Sequence, residues 1–163
     1  LRNFDVRVIA YDPHVSAEAA KELGVAVTSL EDLFAQSDVV SLHTPWLKET
    51  EGMIQGRHFE MMKPGASFIN TARGAVVKEN EMIEILKRRS DLTAVLDVTH
   101  PEPPVAGSPL YTLSNVMLTP HIAGSAGPEC RRMGRYMADE LKRYVNGESL
   151  KWRITRKQAE TMA

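Results

Sequence analysis

An α/β fold built on a parallel sheet is predicted by this sequence from three observations. Short β-branched segments alternate with helix-patterned segments along most of the chain. The length of 163 residues is about that of one domain. Hydrophobic residues make up 43% and charged residues 25%, as in ordinary globular proteins.

Each element follows from local pattern. Residues 5–11 (DVRVIAY) read as a strand, stopped by Asp12-Pro13 because proline cannot continue a buried strand. Residues 16–24 read as a helix with Ser16 as N-cap, Glu18 in the first turn and Gly24 as its stop. Residues 25–27 form a short strand, and Ser29-x-x-Asp32 is a capping pattern that opens a helix through Gln36. Residues 38–43 follow as a strand, then 66–70 (ASFIN), a helix over 78–89, and strands over 93–98 and 116–119. The helix over 78–89 places Glu79, Glu81 and Glu84 early and Lys87, Arg88 and Arg89 late, which suits its macrodipole. Pro128 opens a long helix ending near Asn146-Gly147, with Cys130, Met133, Met137, Leu141 and Tyr144 on one apolar stripe. A further helix is expected from Thr155. The alternation predicts a sheet covered by helices on both faces.

Composition excludes several function classes. Twenty basic against 21 acidic side chains give a net charge of -1, which supplies no field for nucleic acid or anionic lipid. The longest apolar run, residues 8–11, cannot span a bilayer, so the chain reads as soluble and cytoplasmic. Cys130 is the single cysteine, which removes an internal disulfide and a thiolate zinc site. His14, His43, His58 and His100 have no partner at metal-ligand spacing, so no metal is expected. Cys130 on its stripe reads as a buried thiol.

In an open parallel sheet, ligands sit beyond the carboxyl ends of the strands. The residues found there are Asp12, then His43-Thr44-Pro45, then Thr71-Ala72-Arg73-Gly74, then Asp97 and Glu102, and finally His121. Asp12 stands where an acid accepts hydrogen bonds from an adenosine ribose, although a turn aspartate before proline is the plainer reading of it alone. Arg73, before a flexible glycine, can grip a carboxylate bidentately or form a surface salt bridge. His121, between Pro120 and the small residues Ala123 and Gly124, can serve as general base or be an ordinary loop histidine. Glu102, between prolines, is either a loop acid or a carboxylate that favours an imidazolium beside it.

Taken together, residues 62–77 (MKPGASFINTARGAVV), Leu96-Asp97-Val98-x-x-x-Glu102-Pro103 and residues 118–124 (LTPHIAG) resemble the D-isomer-specific 2-hydroxyacid dehydrogenases. The resemblance covers residues 5–147 and implies a Rossmann-type, doubly wound parallel sheet that binds NAD, with a second, substrate domain. The first strand and the glycine-rich loop of that fold are not found, since only eleven residues precede Asp12. A fragment is therefore expected, inactive alone. Residues 1–126 would be a partial NAD-binding domain, and 127–163 an interdomain helix and a tail returning toward the substrate domain.

By this resemblance Arg73 binds the substrate carboxylate, His121 is the acid/base and Glu102 holds it. Asp97 contacts the nicotinamide carboxamide, and Thr71, Ala72 and Arg73 run beside the nicotinamide. Asp12 and Pro13 take the adenosine ribose, His43, Thr44 and Pro45 line the adenosine end, and Ala123 and Gly124 complete the cofactor set after His121. NAD is expected over NADP, because Asp12 repels a 2′-phosphate and no Arg or Lys follows it in the turn. The resemblance further implies a small 2-keto or 2-hydroxy acid substrate. It also implies a homodimer, which the apolar segments between Trp46 and Met62 support. The loop Val98-Thr99-His100-Pro101 departs from the family's usual aromatic and acidic pair, and Glu102 argues against the formate dehydrogenase branch. An alternative is a non-catalytic NAD-sensing scaffold like the corepressor branch, which keeps the same triplet and would be told apart by a long tail or a peptide-binding groove.

Overall fold

A computed structural model of the chain describes residue 1, residues 3–160 and residue 162. Four parallel strands form the central sheet in the order β3 (Val39–Leu42), β4 (Ser67–Asn70), β5 (Thr93–Leu96), β6 (Val116–Leu118). A separate parallel pair joins β1 (Ile9–Ala10) to β2 (Ala26–Val27). The strand expected over residues 5–11 is thus cut to two residues. Ladder pairing is non-local, and β1 finds a partner only along the two residues of β2.

The capped helices form as expected. Ser16 accepts from the Ala19 N–H ahead of α1 (Ala17–Glu22), and Ser29 accepts from the Asp32 N–H ahead of α2 (Leu30–Gln36). A helix not legible in the sequence, α3 (Gly56–Met61), follows β3. The charge-graded helix α4 (Glu79–Arg88) runs from β4 back to β5. Two short 3-10 turns, Gly74–Val76 and Pro109–Tyr111, are also additions to the sequence reading. Helix α5 (Pro128–Val145) and the short α6 (Arg156–Ala159), capped by Thr155, close the chain.

Strand residues alternate in burial. Val40, Phe68 and Ala94 lie in register and face α2, α3 and α4, as do Leu42, Asn70 and Leu96. Phe34, Phe59 and Phe68 pack ring to ring at the centre of this core. Val39 and Met117, on the other face, are exposed. Two expectations are corrected here. The apolar stripe of α5 is uncovered: no residue of that helix is buried, and Cys130 is an exposed thiol bonded to the Ser125 carbonyl. Periodicity identifies an apolar face and leaves open what packs on it. The apolar residues between Trp46 and Met62 also serve the core, since Ile54, Phe59 and Met62 are buried, leaving Trp46 and Met61 at the surface. Among the described residues no helix is long and apolar enough to cross a membrane, and no cluster of three or more metal-ligating side chains occurs.

His58 is wholly buried against Phe34. Its Nδ1 accepts from the Gln55 N–H at 2.9 Å, so the proton sits on Nε2, which has no hydrogen-bond partner among the described residues. Burial, reinforced by the Arg57 cation, pushes the His58 pKa down against the opposing pull of Glu31 and Glu81. The folded state therefore favours neutral imidazole. Stability is fully present above the ordinary histidine value of about 6.5 and erodes below it, as the unfolded chain takes up the proton first. The urea midpoint is expected to fall between pH 7.5 and 5 in the wild type and to fall less in His58→Leu; parallel curves would contradict this.

Candidate active site

Parallel register brings the ends of β3, β4, β5 and β6 to one edge, and the loops leaving them carry the polar residues. After β3, His43, Thr44 and Pro45 face Ala72 and Arg73 across an open cleft of about 160 Å³. The Arg73 loop is shaped from below by Asn70, whose buried side chain accepts from the Ala72 N–H at 3.0 Å and donates to the Arg73 carbonyl at 3.2 Å. Arg73 itself is exposed, with Nη1 donating to the Ala72 carbonyl at 2.7 Å. The rest of its planar fork makes no hydrogen bond among the described residues.

Gly74 joins this loop to the next. A Cβ there would overlap the Thr99 carbonyl and lie 2.6 Å from the His100 nitrogen, so only glycine lets the two backbones touch. The loop after β5 then carries Glu102, flanked by the cis peptides His100-Pro101 and Glu102-Pro103. Trp46 packs edge-on to the His100 ring at 5.3 Å, which ties in the loop after β3 as well.

Glu102 Oε1 lies 2.5 Å from His121 Nδ1, with each side chain nearly half exposed. His121 is the one non-glycine residue with positive φ among those described, at 52°. A left-handed backbone at a histidine is a local cost that the surroundings must hold in place. Asp97 does so. Its buried carboxylate accepts from the Thr119 hydroxyl, from the Ile122 N–H at 2.9 Å and from the Ala123 N–H at 2.7 Å, while its carbonyl accepts from the His121 N–H at 3.1 Å. Burial raises the Asp97 pKa, but these donors and the nearby His121 outweigh it, so the net direction is down.

Of the residues singled out in the sequence, the structure gathers His43, Thr44, Pro45, Ala72, Arg73, Asp97, Glu102, His121 and Ala123 through this chain of contacts. Thr71 lies between the bracing Asn70 and Ala72, and Gly124 is exposed two residues beyond Ile122, to whose carbonyl its N–H bonds. Asp12 and Pro13 stand apart, exposed at the end of β1 on the two-stranded sheet. Asp12 accepts from the His14 N–H at 2.8 Å, the Asx turn that is its plainer reading, and its second carboxylate oxygen has no hydrogen bond among the described residues. Asn70 and Thr119 were missed by sequence reasoning; the signal for Asn70 was a polar side chain in the buried phase of a strand pattern.

The donor set suits a dinucleotide. A carboxylate offers about four acceptor positions, so the three bonds that the Asp97 carboxylate accepts leave one position for a further N–H donor. The polar cleft beside Arg73 offers room at the strand ends, where such ligands bind.

Comparison with known proteins gives the context. The family profile described as D-isomer specific 2-hydroxyacid dehydrogenase, NAD binding domain, matches residues 1–123. A D-3-phosphoglycerate dehydrogenase of Archaeoglobus fulgidus is 40% identical over 143 residues, which are 88% of this chain and 27% of that protein. A glyoxylate reductase of Thermococcus litoralis is 40% identical over 148 residues, covering 90% of this chain and 44% of that protein. The holo D-mandelate dehydrogenase of Rhodotorula graminis superposes with a TM-score of 0.78 at 36% identity, covering 89% of this chain and 43% of the other. The chain thus spans less than half the length of these relatives. With a Rossmann-type α/β fold and a matching profile over three quarters of its length, the chain belongs to the D-isomer-specific 2-hydroxyacid dehydrogenase family, in its NAD-binding domain.

Proposed function

We propose that this chain is the cofactor-binding part of a dehydrogenase that moves hydride between NAD(H) and a small 2-keto or D-2-hydroxy acid. The observation that carries this reading is the Glu102–His121 pair, 2.5 Å apart, on the same strand edge as Arg73. Residues 1–126 act as the cofactor domain, and 127–163 as a helix and tail leading to a substrate domain. The enzyme works in the cytoplasm as a homodimer.

NAD(H), when bound, would supply hydride to the keto carbon of the acid or accept it from the carbinol carbon of the hydroxy acid. Arg73 holds the substrate carboxylate with the unused edge of its guanidinium and fixes which carbon faces the cofactor. Glu102 occupies Nδ1 of His121, which orients the ring and leaves Nε2 as the atom that exchanges a proton with the substrate oxygen. In reduction Nε2 gives its proton to the developing alkoxide, and in oxidation it takes the hydroxyl proton back. Asp97 keeps the His121 loop in its left-handed turn, and the open oxygen of Asp12 accepts from a ribose hydroxyl.

The test is reduction of a panel of short 2-keto acids by the dehydrogenase carrying this chain, with chiral analysis of the product. A D-hydroxy acid is expected, with higher kcat/KM for NADH than for NADPH because the Asp12 carboxylate opposes a 2′-phosphate. No turnover with any 2-keto acid, or an L product, would overturn the reaction; equal or better use of NADPH would overturn the role of Asp12. Light scattering at micromolar concentration checks the dimer, against which a monomer would count.

A further inference from the structure

The first turn of α4 carries a carboxylate that the reaction as described does not use. Glu79 Oε2 accepts from the His100 N–H at 3.0 Å, across 21 residues of sequence. His100 begins the segment that ends, two residues later, at Glu102. Burial raises the Glu79 pKa, and the His100 N–H and ring oppose that rise. An acid near a helix N-terminus would gain the helix dipole while pointing into solvent. Glu79 instead accepts partial desolvation and directs an oxygen at one backbone amide.

Three further contacts show what that amide governs. Gly74 presses the Arg73 loop directly on the Thr99–His100 backbone, Thr99 Oγ1 donates to the Pro101 carbonyl at 2.9 Å, and Trp46 packs against the His100 ring. Thr99, His100 and Pro101 are therefore held from several sides, while Glu102 and His121, the residues they present, are nearly half exposed. An exposed ion pair is worth little and is loosely held by itself. Its geometry has to come from the backbone beneath it.

We propose that Glu79 is a positioning residue for the acid/base pair: by accepting the His100 N–H, its carboxylate sets the loop that presents Glu102 to His121. Glu79 touches neither substrate nor cofactor in this account and acts through Glu102. The inference rests on the proposed role of His121 for its catalytic meaning, but its structural content does not depend on turnover.

The test compares Glu79→Met, which fills the same space without an acceptor, with Glu79→Gln, which keeps an acceptor oxygen. The readout in the 163-residue chain is the NMR resonance of the His121 Nδ1 proton, downfield when bonded to a carboxylate, alongside the backbone amides of β3 to β6. Wild type and Glu79→Gln are expected to share the downfield signal. Glu79→Met is expected to lose it while the strand amides stay in place. In the dehydrogenase, Glu79→Met should lower kcat by up to about 10²-fold with little change in KM for the keto acid, and Glu79→Gln should restore it. An unchanged His121 signal in Glu79→Met would overturn the proposal. So would its loss in a folded Glu79→Gln, or unfolding of Glu79→Met where Glu79→Gln folds, which would make the contact a support of the whole fold. A wild-type enzyme without turnover would sink the proposed reaction and leave the NMR comparison standing.

Discussion

His121→Gln is expected to lower kcat for 2-keto acid reduction by ~10²- to 10⁴-fold, the usual cost of losing a positioned acid/base. Glutamine can still donate a hydrogen bond but cannot deliver a proton, so the developing alkoxide must be protonated by water. The keto acid should bind nearly as before, because the proposed reaction assigns the carboxylate contact to Arg73, on a different loop. KM therefore changes little while kcat falls, and steady-state kinetics at saturating NADH separate the two. Near-full kcat would remove His121 from the chemistry.

Gly74→Ala is the second large effect, although the change adds one methyl group. Its Cβ would overlap the Thr99 carbonyl, and backbone atoms cannot rotate away as a side-chain end can. Either the Arg73 loop or the Thr99–Glu102 loop has to shift. Overpacking of this kind costs about 3 kcal/mol or more, a melting-temperature drop of roughly 6–12 °C for a chain of this size. A displacement of about 1 Å between Arg73 and the Glu102–His121 pair also costs on the order of 10²-fold in rate. Gly134→Ala is the control, since nothing lies within 4 Å of a Cβ there and alanine suits the interior of α5. Calorimetry and a rate assay on both variants check this; equal melting temperatures would show that the two loops do not touch as described.

What could be read from the sequence was local or set by topology. Ser16 and Ser29 announced α1 and α2 because a cap and its N–H partner lie three residues apart. The site edge was legible because parallel strands place their carboxyl ends together whatever the side chains are. Helix α3 was not, since it is six residues long and is capped by the unusual pair Gln55 and His58. Burial of Phe59 supports it more than propensity does. Asn70 and Glu79 escaped for a different reason. Their partners are backbone groups of Ala72, Arg73 and His100, and a backbone partner leaves no residue-type signature. The uncovered stripe of α5 shows the converse, a clear pattern whose partner the pattern does not specify.

The central claim is that Glu102 holds His121 as the acid/base, and kcat for 2-keto acid reduction in Glu102→Gln and Glu102→Ala tests it most directly. Glu102→Gln keeps a hydrogen-bond acceptor beside Nδ1, where the carboxylate oxygen lies 2.5 Å away, whereas Glu102→Ala removes the acceptor and leaves the ring unheld. Glu102→Gln is expected to retain measurable activity, and Glu102→Ala to lose about a further tenfold or more in kcat with little change in KM. Equal rates in the two variants, or wild-type kcat in Glu102→Ala, would contradict the assignment of both residues.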